Sequence, residues 1–331
     1  MVYVFTFLGE FGYELLNWQG VIRTFAATIR PSDRIVCCSR ANVYPLYEMA
    51  DLYLDITDHR LFRHSRGCCY SGTIGAGAPG RGVNRMFDAA LRTSLQRSLA
   101  RRVRADRPEW ADHDLCFVFS SVRTDIAGVT FGCDPARVEQ DADIDDRLNL
   151  DANLYRRIEP DMRLRAGIEQ ALGIDLSEPY VLVQTRERRV GPQLGAVAKD
   201  ALIRALAARS RVVLLSFHTG RAFDSFSRFE QSSSCLHYGA RSFPEQACLV
   251  HFAARCIFLT EGEFGSHTYV PPFMGKDVTL IAPRSLHDRW RATVDFWNRH
   301  VCRFGGQIEM LVAEDVAALP EPLLSAARRS A

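Results

Sequence analysis

The chain has 331 residues, 41 basic and 39 acidic side chains and a formal net charge of +2. At about 100–200 residues per domain this length predicts two domains, and an apolar fraction of 47% excludes a disordered chain. The near-balance of charge argues against nucleic acid as a partner, because nucleic-acid binding needs a concentrated basic surface. No apolar run reaches the roughly 18 residues of a membrane helix, so we expect no membrane span.

The cysteines and the N-terminal segment indicate the cellular compartment in which the protein is expected to lie. None of the ten cysteines forms a CxxC pair, and several lie in apolar runs, where cysteine behaves as a small hydrophobe. The chain enters a strand-like run at once, without a charged segment and a small-residue cleavage site. We therefore expect a reduced, cytoplasmic protein with no bound metal.

The first half of the chain alternates strand-like and helix-like segments. Strands are predicted over 2–7, 34–38, 52–56 and 115–120, with a helix over 13–29. Short loops between such segments predict a parallel, doubly wound sheet. Residues 57–113 break the rhythm with a Gly-rich loop and then a helix over 83–103 that has a strongly basic face.

The second half begins with a charged helix predicted over 153–172, which is well placed to link two domains. The alternation then restarts. Strands are predicted over 180–184, 211–216, 256–259 and 277–281, helices over 196–208 and 243–254, and a partly helical, aromatic tail from 286. The predicted fold class is α/β, with two Rossmann-like domains whose parallel sheets face a cleft. A ligand is then expected at the carboxyl ends of the strands.

The loop after the first strand contains Gly9, Glu10, Gly12 and Glu14. The glycines allow a tight turn and close approach of a ligand, and the following helix offers free backbone amides. A carboxylate here can act as general base toward an acceptor hydroxyl. Alternatively, either glutamate only favours the positive end of the helix.

Arginines follow the first strand of the second half. Arg186, Arg188 and Arg189 can neutralise a diphosphate through bidentate contacts, or they can form a solvated, salt-bridged loop. We favour the diphosphate because the carboxyl end of a strand is where an α/β protein binds its ligand. His218, after the next strand, is a candidate for the nucleotide-base pocket.

The segment 260–268 lies between a buried strand and a short helix. Gly265 and Ser266 with the amides of the helix start form an anion cradle. Glu261 or Glu263 can bind the hydroxyls of a ribose or sugar. His267 can donate to a phosphate, although a lone histidine is more often structural.

Taken in order, these segments resemble the GT-B glycosyltransferases, in particular the inverting ADP-heptose transferase-like group and the α-1,6-fucosyltransferase-like enzymes. The opening LGEFGYELLNWQGVIRTF resembles the first loop and helix of the former group, and NLYRRIEPDMRLRAGIEQALGI resembles the helix before its second domain. The segment from LHYGARSFPEQACLV to DVTLIAP resembles the donor-binding region, and VLVQTRERR resembles the arginine element with which the fucosyltransferase-like enzymes hold the donor diphosphate.

The resemblance implies roles for individual residues. The catalytic base of the heptosyltransferase-like group is an Asp after a Gly in the first loop, which corresponds here to Glu10 after Gly9, with Glu14 as its rival. The donor pattern of the group is Asp-x-Gly-x-x-His. Glu263-Phe-Gly265-Ser-His267 is one residue shorter, so His267 or Thr268 takes the position of that histidine.

The resemblance implies metal-independent, inverting transfer of a hexosyl, heptosyl or deoxyhexosyl group from a nucleotide-diphosphate sugar to an acceptor hydroxyl. No other cofactor is implied, and the acceptor is a small molecule or a glycan, as in natural-product or polysaccharide biosynthesis. The basic helix leaves peripheral membrane association open. A GT-B-shaped sugar-nucleotide epimerase and a non-catalytic sugar-nucleotide or glycan-binding module are the alternatives.

The domain organisation follows the same resemblance. Residues 1–155 are expected to bind the acceptor, with 57–113 as its wall, and 178–285 the nucleotide sugar. A linker helix over 156–177 joins them, and C-terminal helices over 286–331 are expected to pack back toward the first domain.

Overall fold

The protein is described by a computed structural model over residues 1–8, 11–59, 89–132, 153–185, 194, 196–217, 231–240, 242–259 and 266–312. It consists of two compact units, Met1–Tyr155 and Arg156–Ala331. Each unit contains a parallel sheet with helices, as the sequence predicts. In the described residues, no helix is long and apolar enough to cross a membrane.

The sheet of the first unit has four parallel strands in the order β3-β2-β1-β4. They are β1 (Val2–Thr6), β2 (Arg34–Ser39), β3 (Leu52–Asp55) and β4 (Leu115–Phe119). Four of the five β1 residues are buried, as their β-branched and aromatic composition predicts for a central strand. Because all four strands run the same way, the segments that follow them lie at one edge of the sheet.

The helix predicted after β1 is divided into three parts. A first turn, α1 (Phe11–Tyr13), leads into a π-helical turn over Glu14–Trp18, and α2 (Gln19–Ala26) completes the helix. Such single π turns are rare and occur frequently at functional sites, because the extra residue changes the direction of the side chains beside it. Periodicity over 13–29 predicted the helix but cannot resolve one inserted residue.

The core of the first unit is aromatic and includes a hairpin that the sequence analysis did not predict. The hairpin strands are β5 (Thr124–Ile126) and β6 (Val129–Phe131), and they pair antiparallel. Phe131 of β6 packs against Phe5 of β1 with ring centroids 5.1 Å apart, and against Phe25 of α2 at 5.4 Å. The hairpin therefore supports the central strand. The helix α3 (Ala89–Asp106) buries only Leu95, Leu99 and Val103.

The sheet of the second unit has six parallel strands in the order β12-β11-β10-β7-β8-β9. They are β7 (Val181–Thr185), β8 (Val212–Phe217), β9 (Cys235–Ala240), β10 (Arg255–Leu259), β11 (Val278–Ala282) and β12 (Ile308–Val312). The helices are α4 (Arg165–Leu172), α5 (Ala196–Ala207), α6 (Phe243–Phe252), α7 (Val270–Phe273) and α8 (Arg284–His300).

The linker helix, predicted over 153–172 from the sequence pattern and over 156–177 from the domain boundaries, is shorter than expected: it begins late, and α4 ends at Leu172. Residues 154–161 have no helical structure, and a 3-10 turn over Met162–Leu164 leads into α4. Pro160 disfavours helical backbone at the residue before it. The Asp161 side chain then accepts from the backbone N–H of Arg163 at 3.1 Å and starts the turn. Gly173, with φ of 68°, ends the helix as expected.

The C-terminal helices predicted over 286–331 are interrupted by a strand that was not predicted, because β12 follows α8 and pairs with β11. Gly305 has φ of 94°, and an added Cβ at Gly306 would lie 2.3 Å from the Lys276 carbonyl oxygen, so two glycines are needed to bring the chain back to the sheet. Ile308 at the start of β12 is buried at that position. Packing of 286–331 toward the first domain stays a prediction.

Candidate functional site

The carboxyl edge of the first sheet brings polar side chains together. The Leu8 amide donates to Ser120 Oγ at 2.9 Å, which joins the segments after β1 and β4. Ser39 ends β2 and is 1% exposed, as is Ser121 beyond β4. This is the edge at which α/β proteins bind ligands. The loop with Gly9 and Glu10 starts here, but both residues lie outside the described ones, whereas Gly12 is half-buried in α1.

Glu14, the first residue of the π turn, lies fully buried behind this edge at 0% exposure. The Tyr47 hydroxyl donates to its Oε1 at 2.7 Å, and the Arg40 Nε lies 3.2 Å from its Oε2. Burial raises the pKa of the Glu14 carboxyl above its ordinary value, while Arg40, Ser39 and Tyr47 act in the opposite direction. Among the described residues, only Oε1 accepts a hydrogen bond, and Oε2 lies beside Arg40 as an ion pair without one. Because the whole carboxyl group is buried, it is poorly placed to take a proton from a substrate.

The segment after β2 is anchored to α2, which fixes Tyr47. The Arg23 guanidinium pairs with both carboxylate oxygens of Glu48 and also donates to the Leu46 carbonyl at 2.9 Å. The Tyr47 ring stacks on Tyr53 with centroids 5.8 Å apart. Tyr47, whose hydroxyl donates to Glu14, is therefore fixed both by the anchored segment around it and by its ring contact with Tyr53.

Arg40 was not singled out from the sequence, although it follows β2 directly at the carboxyl edge. Its guanidinium carbon lies 6.0 Å from the Phe7 ring centroid and 5.9 Å from that of Phe11. Its carbonyl accepts a hydrogen bond from the Tyr53 hydroxyl. The side chain stays 26% exposed despite these contacts. Its position after a buried strand is the signal that identifies it, but the many arginines of this chain obscure that signal.

A cavity of about 350 Å³ lies beside β4. Its floor consists of alternate residues of the strand, which include Phe117 and Phe119, and one face of α3 forms its wall through Arg92, Thr93 and Gln96. Aromatic rings beside amide and guanidinium donors are suited to a polar ligand with an apolar face. The wall belongs to the region 57–113, expected to contact the acceptor.

The carboxyl edge of the second sheet contains a buried amide pair. Gln246 Nε2 of α6 donates to Gln184 Oε1 of β7 at 3.0 Å, and both side chains are at most 2% exposed. The pair fixes the strand end from which the arginine segment departs. Arg186, Arg188, Arg189 and His218 lie outside the described residues.

Of the residues predicted to bind the sugar donor in segment 260–268, Thr268 is the one whose side chain the structure describes. It lies in a 3-10 turn over Ser266–Tyr269 that follows β10 and leads into α7. The residue is 0% exposed, and its Oγ1 makes no hydrogen bond among the described residues. A buried hydroxyl without a partner costs free energy, which a ligand can recover.

The other candidates of this loop are described less fully. The backbone of Ser266 and His267 belongs to the turn, but their side chains lie outside the description, as do Glu261, Glu263 and Gly265. Within the ranges that the structure covers, no three His, Cys, Asp or Glu side chains are grouped so as to hold a metal ion.

The two α/β units, each with a parallel sheet and polar groups at its carboxyl edge, have the GT-B type of fold. The chain is similar to the family 9 glycosyl transferase of Veillonella parvula DSM 2008, with a TM-score of 0.54 and 11% identity over 98% of this chain and 97% of that one. It is also similar to the ADP-heptose LPS heptosyltransferase II of E. coli, with a TM-score of 0.50 and 11% identity over 97% and 96%. No protein-family model matches the sequence. No curated protein sequence matches it significantly.

Proposed function

We propose that the protein is a glycosyltransferase that moves a sugar from a nucleotide-diphosphate sugar to an acceptor hydroxyl. The observation that carries the proposal is a GT-B-like fold over nearly the whole chain. The chemistry is inverting and metal-independent: a base takes the acceptor proton, the acceptor oxygen attacks the anomeric carbon, and the nucleoside diphosphate leaves with the bonding electrons.

The donor side of the proposal concerns the second unit. Arg186, Arg188 and Arg189 follow β7 and neutralise the leaving diphosphate, and the loop of Gly265 and Ser266 adds backbone amides. Glu261 or Glu263 binds sugar or ribose hydroxyls, with His267 or Thr268 on the phosphate and His218 near the base. The buried Gln184–Gln246 pair supports this role because it immobilises the strand end before the arginines.

The first unit is proposed to bind the acceptor, and Glu10 and Glu14 are the two candidates for its catalytic base. Glu14 is buried, its Oε1 accepts a hydrogen bond from Tyr47, and its Oε2 lies beside Arg40. We assign the base to Glu10, which precedes it in the loop after Gly9. The cavity of Phe117, Phe119 and Arg92 accommodates part of the acceptor.

A thermal-shift screen of the full chain with nucleoside diphosphates and nucleotide sugars tests the donor assignment. One nucleotide family is expected to raise Tm, because a ligand at about 100 times its Kd adds about 2.7 kcal/mol to the free energy of unfolding. A panel of ADP, GDP, UDP, CDP and dTDP identifies the base. Absence of any shift would contradict the proposal.

Product analysis separates this proposal from its two alternatives. Transfer to an acceptor, or slow hydrolysis of the matching nucleotide sugar, is expected. Exchange of solvent deuterium into the sugar without an acceptor would instead indicate an epimerase. Tight nucleotide binding with neither reaction across a donor panel would indicate a binding module.

Replacing Thr268 by Val tests the buried hydroxyl. The free energy of unfolding is expected to stay the same or rise slightly, because the variant removes an unpartnered buried hydroxyl. The Tm shift caused by the nucleotide is expected to shrink. Thr28→Val is the control: its hydroxyl donates to the Phe25 carbonyl at 2.8 Å, so the variant loses stability and keeps the shift. A full nucleotide shift in Thr268→Val would remove that hydroxyl from the donor site.

A further inference from the structure

The π turn over Glu14–Trp18 accepts hydrogen bonds from two side chains at its backbone carbonyls. Gln19 Nε2 donates to the Leu15 carbonyl at 3.0 Å. The Tyr155 hydroxyl donates to the next carbonyl, that of Leu16. A π turn interrupts the regular hydrogen-bond pattern of the helix, which leaves carbonyls in need of other donors. Gln19 is a local partner, whereas Tyr155 is 139 positions from Leu16 along the chain.

The segment that contains Tyr155 is fixed against α2 by two further contacts. The Thr24 hydroxyl donates to the Gly20 carbonyl at 2.9 Å and accepts from the Leu154 amide at 2.9 Å. A Cβ added at Gly20 would lie 2.8 Å from the Tyr155 ring and 3.0 Å from the Asn153 Cβ, so glycine lets the segment come this close. Several contacts together therefore set the position of the Tyr155 hydroxyl over the turn.

Stability alone does not require this arrangement. A regular α-helix pairs its interior carbonyls with its own amides and needs neither a distant hydroxyl nor a glycine beneath a tyrosine ring. The turn also begins with a fully buried carboxyl group, that of Glu14, and burial of a carboxyl group is costly. Single π turns occur frequently at functional sites, where the changed direction of the side chains is used.

The turn lies close behind the loop of Glu10, the residue assigned as base. The three residues of α1, Phe11–Tyr13, separate that loop from Glu14. An α-helix rotates by about 100° per residue, so loss of the inserted residue would rotate the preceding residues by about that angle. The π turn therefore determines the direction in which α1 meets the loop.

We propose that Tyr155 is a positioning residue for the transfer reaction: its hydroxyl holds the π turn, and the turn fixes the direction of α1 and of the loop before it. The proposal rests on the proposed glycosyltransferase function, with Glu10 as its base. Gly20 has a part in the same role, because it leaves room for the Tyr155 ring.

Tyr155→Phe tests the role, because it removes the hydroxyl and keeps the ring. We expect kcat to fall roughly tenfold, since a small misplacement of a catalytic group is sufficient for such a loss. The Tm shift caused by the nucleotide is expected to remain, because the donor site is proposed in the second unit. Hydrogen exchange measured by mass spectrometry is expected to increase in peptides that span 11–19.

Tyr180→Phe is the matched control. The Tyr180 hydroxyl donates to the Leu249 carbonyl at 2.6 Å in the second unit, so this variant loses the same type of hydrogen bond. Both variants are expected to lower Tm by a few degrees, but only Tyr155→Phe is expected to lower kcat. Equal kcat in the two variants would make Tyr155 merely structural and overturn the proposal.

Gly20→Ala tests the same contact from the helix side. The added methyl group displaces the Tyr155 ring and keeps its hydroxyl, so a kcat loss similar to that of Tyr155→Phe is expected. The double variant is expected to lose less than the product of the two single losses, because both changes act through one hydrogen bond. Losses that multiply would contradict a shared role.

The combined measurements separate this proposal from the proposed function. If the wild type transfers sugar and Tyr155→Phe keeps its full kcat, the positioning role fails and the glycosyltransferase function stands. If the wild type neither binds a nucleotide nor transfers sugar, the proposed function fails and the catalytic role of Tyr155 fails with it. Exchange over 11–19 then still decides whether Tyr155 holds the π turn.

Discussion

Replacement of Glu10 by Gln is expected to lower kcat by about 10²–10⁴-fold and to leave donor binding unchanged. The amide has the size of the carboxyl group but cannot accept the acceptor proton. The measurement is a steady-state assay with the nucleotide sugar identified by the thermal-shift screen, together with the nucleotide-induced Tm shift of the variant.

Glu10→Asp is the matched control, because it retains a carboxylate in a shorter side chain. Its kcat is expected to lie between those of the wild type and Glu10→Gln. Full turnover in Glu10→Gln would return the role of base to Glu14. That outcome would require the Glu14 carboxyl to become accessible during turnover, since its side chain is fully buried and its Oε1 accepts from Tyr47.

A Gly132→Ala substitution is expected to destabilise the first unit by roughly 3 kcal/mol or more. Gly132 has φ of 70°, and an added Cβ would lie 2.1 Å from the Val122 carbonyl oxygen and 2.8 Å from that of Phe119. Both contacts are with backbone, so no side-chain rotation relieves them. Phe131 precedes this glycine, and its buried ring packs on the central strand.

Gly128→Ala in the same hairpin separates steric overlap from backbone strain. Its φ is 80°, but nothing lies within 4 Å of an added Cβ, so a cost of about 1 kcal/mol is expected. Hydrogen exchange by mass spectrometry on peptides of β4 to β6 measures both variants within the first unit. Equal loss of protection in the two variants would refute the predicted overlap at Gly132.

The alternating segments were sufficient to predict two parallel α/β sheets, because buried parallel strands such as VYVFT and RCIFL are almost continuously apolar. The errors occurred where one local feature changed the course of the chain. Pro160 prevents the linker helix from beginning before residue 161, and the turn at Gly305 returns the C-terminal segment to the sheet as a strand. The short hairpin at Gly128 offered too few residues for a periodic pattern.

The sequence predicted where the candidate site lies in the fold, but it did not predict which side chains contact one another there. A strand followed by glycines indicates where a ligand binds, so the loop at Glu10 was accessible to reasoning from sequence. The Glu14–Arg40–Tyr47 contacts join residues from three separate segments, and they depend on the π turn. Neither long-range partners nor one extra residue in a helix leaves a trace in local periodicity.

The strand order of the first sheet also governs how the chain folds during synthesis. The central strand β1 is made first, but its partner β4 is Leu115–Phe119, so the sheet remains incomplete until that segment has left the ribosome. Until then β1 has an unpaired, apolar edge that can join other chains. Fragments that end before residue 115 are therefore expected to aggregate, and chaperone demand should be highest in this interval of translation.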